Sequence, residues 1–307
     1  MPSLKDYMEL KQTFKPHHGE LVGLTDQLSR ITAPNSGPFT FHGTNTYLVG
    51  KDSVAIIDPG PIIDDHISAI IKAVGNRPVT HIIVTHTHAD HSPAAKTLAK
   101  HFNAATFGEG QHRPSRDLYL GESNPLDASA DKEFNPDVIV TDGEIIAGEG
   151  WTLEAVATPG HTANHLTFCL KEENILLSGD HVMAWSTSIV APPDGSMSDF
   201  MASLDVLMAR DEHLFFPGHG GRVEKPDKFM RGLKTHRLMR EASILDRLQA
   251  GDRNIPDMVK VMYATTNPKL HGAAGLSVLA HLEDLVARGL VETQGPPAID
   301  GVFAPKA

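Results

Sequence analysis

Through the first two-thirds of the chain, short apolar runs follow one another, each closed by Gly, Pro, Asp or His. Thr46 to Val49, Val54 to Ile57, His81 to Thr85, Val138 to Thr141, Leu153 to Ala157, Leu166 to Leu170, Ile175 to Leu177 and Leu214 to Phe216 predict strands. Runs of this length, rich in β-branched residues and bounded by turn formers, suit a buried pleat. Apolar positions spaced by three and four predict helices over about Asp65 to Val74 and Ala94 to Phe102. Strands interleaved with helices define an α/β pattern. After Gly220-Gly221 the pattern turns helical, with stretches over Lys228 to Ala250, Ile255 to Ala264 and Ala273 to Arg288. This change sets a boundary near Arg222 to Pro226 and divides the chain into residues 1–222 and 223–307.

From Arg113 to Pro136 the sequence turns polar and loses its period, which predicts a long surface loop, either a lid or a plain insertion. The opening Met1 to Thr13 mixes charged and apolar residues without an apolar signal segment, and no apolar run approaches the roughly 18 residues of a membrane span. Neither secretion nor membrane insertion is expected. Composition adds that 40% of the residues are hydrophobic and 21% charged, enough for a large core. The single cysteine, Cys169, excludes an internal disulfide and a cysteine-rich zinc module, and suits a reducing cytoplasm. Its place in an apolar strand reads as an inert buried thiol. The net charge of −11 argues against a protein that grips nucleic acid over its whole surface. Histidine, 18 in all, is the residue that departs from background.

The segment His81 to Pro93, HIIVTHTHADHSP, places His86, His88, Asp90 and His91 within six residues after a buried strand. Alternating side chains let His86 and His88 point the same way. Ser92-Pro93 predicts a helix start, with Ser92 as the capping residue. Four ligand-type side chains on one turn exceed what a single tetrahedral ion easily accepts, so two metals are indicated. Three further sites repeat a form, an apolar run, then Gly, then a ligand type: Pro159-Gly160-His161, Ser178-Gly179-Asp180 and Pro217-Gly218-His219. Glycine at a strand end permits a sharp exit that leaves the next side chain at the sheet edge.

These motifs, together with Asp58 in IIDPG, stand in the order found in the metallo-β-lactamase-fold hydrolase superfamily, which the chain resembles over roughly residues 20 to 222. The resemblance implies an αβ/βα four-layer sandwich of two mixed sheets with a dimetal site at one edge. It implies one ion on His86, His88 and His161, a second on Asp90, His91 and His219, and Asp180 bridging them, with Asp58 holding the motif loop. The ions would be two divalent metals, Zn2+ first and Mn2+ or Fe as alternatives, acting through a bridging hydroxide, with Asp90 and Asp180 as the catalytic carboxylates. Two dications with these two carboxylates and one hydroxide leave about +1, which favours an anionic substrate and a developing oxyanion. His165 and His181 lie one to four positions from ligands and are candidates to support them or touch substrate, while His42, before a turn at the start of a strand, and Trp185, after Asp180, are candidates to line the pocket.

True β-lactamases of the superfamily generally lack the bridging aspartate, whereas glyoxalase II-like thioesterases, lactonases, phosphodiesterases and RNA-processing members keep it, so SGD demotes lactam hydrolysis and leaves an ester, thioester or lactone-type small molecule as the first expectation. PGHG followed by a long helix and a helical tail ending in LEDLVARGLVE, and the segment GTNTYLVG, are similar to the β-lactamase-like protein 2 group, while the retained SGD aspartate is similar to glyoxalase II-like members. That resemblance implies a small winged-helix-like C-terminal domain. It also raises a single-strand-selective endoribonuclease, or another phosphodiesterase, as the alternative. Residues 224–292 carry 11 basic and 9 acidic residues against 16 and 29 elsewhere. Lys228, Arg231, Lys234, Arg237 and Arg240 recur every three positions, a basic spiral on a helix. RNA is thus a second candidate partner, and a homodimer the assembly considered. The rival from another class, a non-catalytic metal- or nucleic-acid-binding protein, is opposed by the complete ligand set.

Overall fold

The computed structural model describes residues 8–125 and 127–306. The first seven residues of the opening stretch, and Leu126 in the polar loop, fall outside it. The first part of the chain runs β1 (Val22–Gly23), β2 (Leu28–Thr32), β3 (Asn45–Val49), β4 (Val54–Ile57), α1 (Asp64–Val74), β5 (Val79–Ile83), α2 (Ala95–Phe102), β6 (Ala105–Gly108) and β7 (Val138–Ile139). It continues through β8 (Ile145–Gly148), β9 (Trp151–Ala157), β10 (Leu166–Leu170), β11 (Ile175–Gly179), α3 (Met197–Met208) and β12 (Leu214–Pro217). Strands β1 to β7 form one sheet in sequence order, and a second has the order β12-β11-β10-β9-β8. Both are mixed: β4, β5, β6 and β7 pair in parallel, as do β11 and β12, and the remaining neighbours are antiparallel.

Period-two alternation explains why apolar runs without polar gaps form these strands. On β4, Ala55 and Ile57 face the second sheet, while Val54 and Ile56 face α1 and α2. On β11, Ile175 and Leu177 face the first sheet, and Leu176 faces α3 and the long helix α4 (Pro226–Gln249). Each central strand is therefore buried on both sides, as sheets covered by helices require. The layers are helices, sheet, sheet and helices, an αβ/βα sandwich.

Beyond α4 come α5 (Ile255–Met262), α6 (His271–Ala287) and the antiparallel pair β13 (Val291–Thr293) and β14 (Phe303–Pro305). Asn254 starts α5 by accepting from the Asp257 amide, and Pro256 follows in the first turn. Leu279, Leu282 and Leu285 of α6 bury against Ile244, Leu248, Ile255, Met258 and Phe303 in a separate core. Three helices and a two-stranded wing make this a winged-helix unit. Among the described residues no helix is long and apolar enough to cross a membrane.

Two local expectations need correction. Ser92 does not cap α2: the helix begins at Ala95 without a side-chain cap, because the Ser92 hydroxyl donates to Asp131 Oδ2 at 2.6 Å. Helix α3 was not anticipated, although Ser196 accepts from the Asp199 amide as its cap and Met197, Phe200, Leu204 and Leu207 follow helical spacing.

Candidate metal centre

The parallel pairs β4/β5 and β11/β12 end at one edge of the sandwich, and the motif residues leave from these ends and from the end of β9. Two glycines permit the crowding. Gly160 has φ +131°, and a Cβ there would meet the Phe200 backbone nitrogen at 2.3 Å. A Cβ on Gly218 would meet Asp180 Oδ1 at 2.4 Å and His91 Cε1 at 2.6 Å.

Two sets of donor atoms converge there. His88 Nδ1 lies 3.0 Å from both His86 Nε2 and His161 Nε2. His91 Nε2 lies 3.3 Å from His219 Nε2 and 3.3 Å from Asp90 Oδ2, and His219 Nε2 lies 3.2 Å from the same oxygen. Asp180 sits between the sets, with Oδ2 3.3 Å from His219 Nε2 and 3.7 Å from His161 Nε2, and Oδ1 3.6 Å from His91 Nε2. His86, His88 and His161 form one group able to hold an ion, Asp90, His91 and His219 another, and His86, His91 and Asp180 link them.

The chemistry of this donor set fits metal ions. Three imidazole nitrogens facing one another cannot be mutually satisfied by protons, whereas one tetrahedral ion with bonds of about 2.0–2.1 Å spaces its donors by about 3.4 Å. The outward nitrogens are already engaged. His91 Nδ1 donates to Asp58 Oδ2 at 2.9 Å, His161 Nδ1 to the Ile189 carbonyl at 2.7 Å, and His219 Nδ1 to the Gly43 carbonyl at 3.2 Å. His86 Nδ1 donates to Thr85 Oγ1, 3.0 Å away, whose own hydroxyl donates to Asp58 Oδ2. In their neutral form four of the five rings would thereby turn a lone pair on Nε2 inward, the tautomer a metal requires. Among the described residues, Asp180 Oδ1 and the outer nitrogen of His88 are buried without a hydrogen-bond partner.

Burial, helped by the neighbouring imidazoles, holds His86 well below the ordinary histidine value and His88 at about 3, so both are neutral and ligand-competent. Burial alone would also lower His91 and His219, but Asp90 and Asp180 outweigh it and raise both, His219 to about 10. Burial would raise Asp90 and Asp180, but His91 and His219 hold both carboxyls well below their usual range.

Asp58, buried and at φ +50°, also accepts from the Thr85 amide, so one carboxylate fixes both the motif backbone and the His91 ring. His165 accepts from the Asp180 amide on Nε2 at 3.0 Å and lies 2.9 Å from Thr158 Oγ1 through Nδ1, which makes it a support for Asp180. His181 is fully buried, 4.4 Å from the Phe200 ring, and burial pushes it down to about 3, so it is core. His42 packs at 4.1 Å on Phe41, and Phe41 stacks on Trp185 at 4.7 Å with planes 7° apart. Both rings crowd Gly220, next to His219, and Phe41 holds φ +56°, a conformation aromatic residues rarely adopt.

Sequence reasoning missed Thr44, whose hydroxyl donates to Asp90 Oδ2 at 2.8 Å. Its place one residue before β3, within GTNTYLVG, was the available signal. The polar loop proves to run along the motif: Ala89 donates to the Ser129 carbonyl and Asp131 to that of Thr87, both at 2.8 Å. Its Arg116 pairs with Glu122 and with Glu283 of α6. The basic spiral is not a free face, since Arg231 pairs with Asp227, Lys234 with Asp205, and Arg237 is buried.

The chain belongs to the metallo-beta-lactamase superfamily, whose pattern matches residues 39–219, and residues 255–296 match the beta-lactamase associated winged helix domain. It is 30% identical over 281 residues to the beta-lactamase-like protein 2 homolog of Caenorhabditis elegans, covering 90% of each chain. It is 28% identical to an atrochrysone carboxyl ACP thioesterase of Cryptosporiopsis sp., over 82% of this chain and 74% of that protein. A metallo-beta-lactamase family protein of Thermus thermophilus shares the fold with a TM-score of 0.75 at 24% identity, over 92% of this chain and all of that one. A beta-lactamase domain protein of Burkholderia ambifaria does so with 0.79 at 18%, over 99% of both chains.

Proposed function

We propose that the protein is a dinuclear metal-dependent hydrolase of ester, thioester or lactone bonds, with a thioester as the leading candidate. The observation that carries this reading is the convergence of seven donors into two groups spanned by Asp180. The thioesterase named among its relatives favours the thioester. His86, His88 and His161 would hold one ion and Asp90, His91 and His219 the other, zinc being preferred, with Mn2+ or Fe as alternatives. When bound, the ions lower the pKa of water towards about 7 and polarise the scissile carbonyl.

The remaining steps belong to the chain. Asp90 Oδ2 is held by Thr44 Oγ1, so Oδ1, which makes none of these contacts, is the atom placed to orient the attacking water and receive its proton. Phe41 and Trp185 offer an apolar wall to the acyl portion and limit water beside His219. We assign residues 1–222 to the hydrolase domain and 223–307 to the winged-helix domain. A cytoplasmic setting fits the single free thiol, Cys169. The internal pairing of Arg231 and Lys234 and the burial of Arg237 weigh against a phosphodiester substrate, which needs those cations free.

The test is a panel of acyl thioesters, aryl esters, lactones and single-stranded RNA, offered to metal-stripped and reloaded protein. Metal-restored thioester hydrolysis above all other activities supports the reading. Faster cleavage of RNA, or no hydrolysis by the reloaded protein, contradicts it.

A further inference from the structure

Arg237 lies in the middle of α4, is 3% exposed, and has no carboxylate within ion-pair distance among the described residues. An unpaired buried cation is expensive, several kcal/mol even after relaxation, so its retention calls for a specific contact. The contact is a backbone carbonyl: Arg237 Nη2 donates to Ser188 O at 2.5 Å, with Nη1 at 3.5 Å from Ser277 Oγ of α6 and the guanidinium carbon 5.0 Å from the Phe200 centroid. The next carbonyl along the chain, Ile189 O, receives the Nδ1 proton of His161 at 2.7 Å. Ser188 is fixed from its other side as well, its hydroxyl donating to the His181 carbonyl at 2.7 Å, one residue beyond Asp180.

We infer that Arg237 is a positioning residue that anchors the Ser188-Ile189 carbonyls and so orients His161 for the three-histidine metal group. This inference rests on the dimetal reading above and deepens it. Charge strengthens the anchor, because a hydrogen bond from a guanidinium to a carbonyl is about twice as strong as a neutral one. Partners of metal-bound histidines set ring orientation, and losing one typically costs about 10–100-fold in metal affinity. Here the partner is itself held by a residue outside the hydrolase motifs.

The test compares wild type with Arg237→Met, Arg237→Gln and Arg237→Lys by chelator-competed Co2+ titration, reading the two sites from their separate absorption changes. The His161 Nδ1 proton is followed in parallel by NMR on the metal-free chain. The inference predicts that Arg237→Met weakens the three-histidine site about 10-fold or more while sparing the Asp90–His91–His219 site. It further predicts faster exchange of the His161 proton and, in Arg237→Lys, recovery of most of the affinity. Should Arg237→Met fail to fold, Arg237→Gln reads the same loss at matched thermal stability. Equal weakening of both sites, or unchanged affinity with an unchanged His161 proton, overturns the inference. A wild-type chain that binds no ion at the three-histidine group overturns the dimetal reading itself, so the two failures are distinguishable.

Discussion

The two donor groups are of similar size and both approach Asp180, yet they are braced from opposite sides of the molecule. The Asp90–His91–His219 group leans on the first sheet and its approach loop: Asp58 holds His91, Thr44 holds Asp90, and the Gly43 carbonyl holds His219. The three-histidine group is braced by Asp58 only through Thr85 and His86, and on its far side by the Ile189 carbonyl and the loop that Arg237 of α4 grips. One group is therefore served by Gly43, Thr44 and Asp58 on the side of the first sheet. The other couples the site to the helical C-terminal part, and separate perturbations should separate them.

The largest effect is expected where the comparison collapses, at the shared carboxylate. Asp180→Ala should reduce turnover about a thousand-fold, matching the several kcal/mol of charge stabilisation such a centre supplies. The fold should survive, because the surrounding strands bury apolar residues that do not use that carboxylate. Steady-state kinetics beside circular dichroism check this, and wild-type turnover at full metal content would refute the role.

Gly218→Ala tests crowding on the Asp90–His91–His219 side. The new methyl must displace Asp180 Oδ1 or His91 Cε1, which lie 2.4 and 2.6 Å from its position. The expected result in a chelator titration is a loss of metal affinity there greater than at the three-histidine group. Equal loss at both would show that the groups are not separable.

Asp58→Asn should come next. Asn tolerates the positive φ of this position, but its amide puts a donor where the carboxylate accepts from Thr85 and from His91. We expect about 10–100-fold weaker binding at the His91 group and a smaller change at the other, reached only through Thr85. The same titration reads it, and unchanged affinity would remove Asp58 from the account.

The smallest effect is one the two sides share. His66, packed on Thr46 behind the first group, is lowered to about 4 by burial, and His281, in the C-terminal part behind the other, to about 3. A histidine depressed in the folded chain binds its proton preferentially when unfolded. Its stabilisation is thus complete above about pH 6.5 and is lost progressively as pH falls towards the folded value. Urea unfolding of the metal-free protein at pH 7 and pH 5 should show the lower stability at pH 5, and a rise there would contradict the burial argument.

The ligand motifs were legible because each is local: an apolar run ends, a glycine turns the chain, and a ligand type follows. Strands β1, β6 and β8 were less legible, since they are short and carry polar or exposed positions. Helix α3 had its signal in Ser196 and the apolar spacing behind it, and the strand pattern around it masked that signal. Arg237 shows what spacing cannot convey. As a member of a basic spiral it reads as surface, and only packing of α4 on the loop 49 residues earlier in the chain turns it inward. Thr44 is the same kind of case, reaching Asp90 across 46 residues.

The most direct test of the central claim is the number of ions per chain and the ligation of Asp180 in fully loaded protein, by elemental analysis combined with a crystal structure of the loaded form. Two divalent ions per chain, one on His86, His88 and His161, the other on Asp90, His91 and His219, with Asp180 contacting both, is the predicted result. A single ion per chain with Asp180 uncoordinated would contradict it.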